Sequence, residues 1–144
     1  MLKSKRLQPV CKFKKRKEEE AAKKLAESAQ ELSSQKQRLV DLQEYRLEYD
    51  EKYNRADSVQ LDAMRVKEFH QFMAKLNTVI EQQMSAIEDL QVRYEETKRQ
   101  WLAARNGAKL ITNVQIRYQS EEMLIEEKKQ QKEQDDLSAL RFRR

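Results

Sequence analysis

Alternate steps of four and three residues from Phe69 land on Phe69, Met73, Leu76, Ile80, Gln83, Ile87, Leu90, Tyr94, Thr97, Trp101, Ala104, Ala108, Ile111, Gln115, Tyr118, Glu122 and Ile125. Most of these positions are apolar, and those between them are largely Glu, Gln, Lys, Arg and Ser. A spacing of about 3.5 residues sustained over this length predicts one long helix carrying one apolar seam. Burying a Leu, Ile or Phe contributes roughly 1.5–3 kcal/mol, so the seam demands a partner helix.

A second seam runs through Leu25, Ala29, Leu32, Lys36 and Leu39, then broadens into Leu42, Tyr45, Leu47, Tyr49 and Tyr53. It predicts a helix over about 9–55, with Pro9 in the first turn, where its missing N–H is harmless. Between the seams, Asn54, Asp57, Ser58 and Asp62 favour caps and turns. Carried forward by sevens, the first seam reaches Lys67, whereas the second has its equivalent at Phe69. That offset matches neither of the insertions that a continuous coil absorbs. The expected architecture is therefore all-α: a long antiparallel two-helix coiled-coil hairpin spanning 1–144 as a single unit. Its turn falls at about 54–63, its second helix at about 64–135, and a frayed basic tail follows. Asn106-Gly107 lies within the second seam, which continues in register on both sides, so the helix is expected to run through it.

Composition narrows the picture in the same direction. Charged residues make up 38% of the chain, with one Gly and one Pro, so there is little of the turn chemistry that sheets and compact folds need. The single cysteine, Cys11, excludes an intramolecular disulfide and fits a reducing compartment. No apolar run approaches a membrane span, and the N-terminus has no secretory apolar core. The expected location is cytosolic.

The net charge is +5, and its placement is the informative part. Lys3, Lys5, Arg6, Lys12, Lys14, Lys15, Arg16 and Lys17 precede the first acid, after which Glu18, Glu19 and Glu20 allow i,i+4 pairs. Such a cluster is either a solvated helix start or a contact for an acidic protein surface, anionic lipid or nucleic acid. Nucleic acid is disfavoured, because Phe13 is the only aromatic within the cluster. A single Gly cannot build a phosphate loop, and one His (His70) with one Cys gives no metal-ligand spacing. No catalytic residue, cofactor or metal is expected.

A hairpin consumes one stripe per helix, yet near the turn each helix has a surplus. Leu42, Tyr45 and Tyr49 recur at three and four, and Phe72, Leu76, Val79 and Gln83 form a line beside the second seam. Antiparallel pairing brings both lines to the turn end. Either a third helix or a dimer contact closes over them, or they form a docking face for another protein.

At these residues the sequence resembles the flagellar FliJ proteins. The resemblance rests on Leu42-x-x-Tyr45-x-x-x-Tyr49, a polar turn, then Phe69-x-x-Phe72-x-x-x-Leu76-x-x-Val79-Ile80-x-x-Gln83. Leu7-Gln8-Pro9-Val10 with Lys17-Glu18-Glu19-Glu20-Ala21-Ala22 is similar to that family's N-terminus, and Arg99-Gln100-Trp101 to its second helix. The resemblance covers nearly the whole chain. It implies a non-catalytic stalk of the flagellar type III export apparatus, similar to the stalk of rotary ATP synthases. Such a stalk bridges the export ATPase hexamer to the membrane export gate protein and handles export chaperones. It would be monomeric alone and peripheral to the inner face of the cell membrane. The family's gate-contacting stripe maps onto Leu42, Tyr45, Tyr49, Phe72, Leu76 and Val79, while Gln83 stands where the family carries His. The chain termini would enter the ring, using Lys14, Lys15, Arg16, Leu137 and Leu140. A related stalk of virulence-type secretion, a homodimeric structural coiled coil and a nucleic-acid-associated basic coil are the competing readings.

Overall fold

The structure, a computed structural model, describes residues 2–56 and 63–143. Two helices account for nearly all of them: α1, Lys3–Ala56, of 54 residues, and α2, Ala63–Phe142, of 80 residues. They pack against each other antiparallel, as a two-helix hairpin. The expected turn at 54–63 is shorter on its first side, because Asn54 and Arg55 belong to α1. Its centre, 57–62, lies outside the described residues.

Both helices extend beyond the bounds read from sequence. α1 opens at Lys3 and carries Pro9 inside it, not in its first turn. The first turn is fastened from across the hairpin. Glu122 accepts bonds from the Ser4 backbone N–H at 3.1 Å and from the Ser4 hydroxyl at 2.6 Å, and Gln115 donates to the Ser4 carbonyl at 3.1 Å. The bond from the Ser4 N–H satisfies one of the donors that a helix start leaves orphaned. α2 continues past 135 to Phe142. Its last stretch contains no Gly or Pro after Gly107 and is rich in Glu, Lys, Gln, Leu and Ala, which are good helix formers. Gly107 costs α2 about 1 kcal/mol relative to Ala, without interrupting the helix.

The chain divides into two compact units, and each helix contributes to both. The first comprises Met1–Ala22 with Gln100–Arg144, the second Lys23–Arg99. In the second unit the core is Leu32, Phe69, Leu76 and Ile80, joined by buried Ser28 and Gln83. The α2 seam follows the 3.5-residue walk, and α1 keeps Leu25, Leu32 and Leu39 on its seam but departs from the expected line at Lys36. Gln35 is half-buried where Lys36 was expected, and Lys36 is exposed. The reason is a hydrogen-bonded layer. Gln83 donates to the Gln35 carbonyl at 2.9 Å and to the Gln35 side-chain oxygen at 2.8 Å, so two polar residues share the seam through bonds to each other.

In the first unit Ala108 and Ser4 are buried. Cys11 is half-buried and reaches the Gln115 side-chain oxygen at 3.3 Å. Pairing ends at the Ser4–Glu122 contact. Ile125, expected to continue the seam, is therefore 67% exposed, because α1 begins too late to cover it. Among the described residues no helix is long and apolar enough to cross a membrane.

Candidate functional site

In the second unit the surplus stripe near the end of α1 and the start of α2 forms one aromatic cluster. Tyr49 and Phe72 meet with ring centroids 4.5 Å apart, and Tyr45 stands edge-on to Phe72 at 6.1 Å. Tyr49 also stacks on Phe69 at 5.6 Å. These spacings lie in the range that stabilises aromatic pairs beyond their buried area. The cluster is graded in exposure. Leu76 is 7% exposed and belongs to the core, Leu42, Tyr49 and Phe72 are half-buried, and Tyr45 and Val79 are 49% and 40% exposed. Two helices cannot enclose a side chain on all sides, so among the described residues nothing covers a second stripe on the same flank.

The cluster is larger than the stripe read from sequence. Tyr53 stacks on Phe69 at 3.7 Å, and the exposed His70 lies 5.6 Å from Phe69 and 6.3 Å from Tyr53. The signal for Tyr53 was available, since it follows Tyr49 at i+4. Phe69 had been assigned wholly to the seam. On the opposite flank Arg46 donates to Asn77 at 3.1 Å.

The first unit holds the N-terminal basic cluster. Lys15 and Arg16 are exposed, while Lys14 sits at a seam position with its stem half-buried, as long cationic side chains allow. Lys12, Lys15 and Glu18 line an open hollow of about 560 Å³ with Ala108, Lys109 and Thr112. Leu137 and Leu140 are 61% and 60% exposed. They lie roughly 38–42 Å further along α2 than Thr112, at ~1.5 Å per residue. Lys14, Lys15 and Arg16 are thus brought together with one another but not with the late leucines. That separation corrects the expectation that the cluster and the pair share one place: α2 outruns α1 by the length of Met123–Phe142.

A family model described as Flagellar FliJ protein matches residues 3–144, essentially the whole chain. The chain belongs to the FliJ family. No curated protein and no solved structure matches it. FliJ membership makes this a flagellar export-related protein, and the two helices described above are the material with which it acts.

Proposed function

We propose that this FliJ protein is a non-catalytic stalk and adaptor, coupling the export ATPase ring to the membrane export gate and escorting export chaperones. The observation that carries this reading is the aromatic face of the second unit. Tyr45, Tyr49 and Phe72 touch one another, yet Tyr45 leaves nearly half its surface in water. A clustered, partly exposed apolar face is a mark of protein-docking sites. We assign it to the gate, with Leu42 and Val79 completing it and Leu76 supporting it from the core. We assign the ATPase to the first unit, where Lys14, Lys15 and Arg16 offer charge and Leu137 and Leu140 offer exposed apolar contacts. As an adaptor the protein works alone as a monomer and meets the membrane peripherally, through the gate.

The test compares melting and gate affinity for Tyr45→Ala, Tyr49→Ala and Phe72→Ala. Tyr45→Ala should leave melting within about 0.5 kcal/mol of the parent, as surface changes do, while weakening gate binding by about 2 kcal/mol or more. Tyr49→Ala and Phe72→Ala should lose both stability and affinity, and Leu76→Ala chiefly stability, by about 2–5 kcal/mol. Full gate affinity in Tyr45→Ala with a large drop in melting temperature would return the stripe to the core.

A further inference from the structure

The first unit has a second apolar face, separate from the aromatic cluster and from the Lys14–Arg16 run. The Ser4–Glu122 and Cys11–Gln115 bonds fix the antiparallel register. One residue back from the seam on each helix, that register places Val10 and Phe13 of α1 on the same flank as Leu110 and Val114 of α2. Val10 is 38% exposed, Phe13 54% and Leu110 66%, and Val114 is half-buried. The opposite flank at the same level is polar, being the hollow of Lys12, Lys15, Lys109 and Thr112.

Gly107 lies on the apolar flank, one turn from Leu110. It is the only glycine of the chain, and glycine is among the poorest helix residues. Nothing inside the protein requires it. Its φ is not positive, and a Cβ added there would meet nothing within 4 Å. What the missing side chain provides is a notch, open to the outside, where a neighbouring backbone can approach closely. Cations border the face. Lys17 lies over the Phe13 ring at 5.4 Å, and Lys3 and Arg117 lie over Tyr118 at 5.5 Å and 5.8 Å.

The geometry points to a docking groove for an acidic amphipathic helix of a partner protein. Its apolar stripe packs on Val10, Phe13, Leu110 and Val114, its backbone enters the Gly107 notch, and its carboxylates meet Lys3, Lys17 and Arg117. The notch decides between a helix and a lipid surface, because a bilayer does not need a gap one side chain wide, whereas two helices packing at ~8–10 Å do. The groove is independent of the gate and ATPase assignments.

The experiment uses the full chain and a fluorescent synthetic helix with leucines at three- and four-residue spacing and glutamates elsewhere. A lysine-for-glutamate version of the same peptide serves as the control. The glutamate peptide should raise anisotropy saturably and the lysine peptide should not. Phe13→Glu and Gly107→Leu should each weaken the glutamate peptide at least tenfold. Gly107→Ala should melt no lower than the parent, showing that the glycine does not serve the fold. Should Phe13→Glu unfold the chain, Gly107→Leu carries the test alone, since its side chain enters open space. The proposal is overturned by no binding of the glutamate peptide, by equal binding of the lysine peptide, or by unchanged affinity in Gly107→Leu. Two further outcomes assign the face elsewhere. Vesicle binding that requires phosphatidylserine and is lost in Phe13→Glu gives it to lipid, and a dimer that Phe13→Glu dissolves gives it to a second copy.

Discussion

Ser4 and Glu122 show how one side-chain pair decides where a helix begins. The Glu122 carboxyl sits below its ordinary range, first because the Ser4 hydroxyl donates to it and then because the Ser4 backbone N–H does. A carboxylate with a depressed folded value stabilises the fold above its unfolded value, and loses that contribution as pH falls through the folded one. Glu122→Gln should therefore melt lower than the parent at neutral pH. The difference should shrink as pH falls from the ordinary carboxylate range toward the depressed value. Melting curves across that window check it, and a gap that widens on acidification would show that the pair is not stabilising in its charged form. Cys11 belongs to the same small network, its thiol directed at Gln115 and the Ile111 carbonyl.

At the scale of elements, the buried Gln35–Gln83 layer carries the next prediction. Polar residues in a coiled-coil seam specify register and partner number at some loss of stability. Gln83→Leu should hold or raise the melting temperature, while broadening the distribution of species seen by light scattering. A single sharp monomer with lower stability would show that the layer acts as ordinary core. Spin labels at positions 30 and 95 test the pairing itself, because Arg93 reaches Glu31 at 4.0 Å. A dilute sample should give a distance set by helix spacing of ~8–10 Å plus the two label arms. The α2 seam from Phe69 to Glu122 was legible because its spacing repeats and most of its positions are apolar. The α1 seam was less so, since a reading by apolarity prefers Ala29 and Lys36 stems to Ser28 and Gln35, and cannot see that Gln83 satisfies Gln35. The start at Lys3 was hidden for the same reason: its cap is not beside it in sequence but on α2.

On the scale of the whole molecule the predictions concern partners. Reversing Lys14, Lys15 and Arg16 to Glu should weaken ATPase association, and more at low salt, where screening lengths grow from ~10 Å at 0.1 M to ~30 Å at 0.01 M. Equal binding at every ionic strength would remove the cluster from that contact. Leu137→Ala and Leu140→Ala provide a separate arm, since those residues lie far along α2 from the cations and should add little salt dependence. The family and the hairpin could be read from spacing and a handful of ordered motifs. The burial of Leu76 followed from its place in the second seam, but the exposure of Tyr45 could not be read, because an apolar letter beside the seam fits either a core or a docking position.

The stretch Met123–Phe142 turns the end of α2 into a reporter of occupancy. Every described side chain in it is exposed, so no tertiary packing supports its backbone bonds. Single helices of ~12–15 residues are marginal in water on propensity alone. Its amides should therefore exchange with deuterium far faster than those around Ile80 or Ala108. Any ring or chaperone that grips it must slow that exchange in proportion to the time it stays bound. Trypsin sees the same clock through Lys128, Lys129, Lys132 and Arg141: clipping should be fast in the free protein and slow in the assembled machine, timing residence without a label.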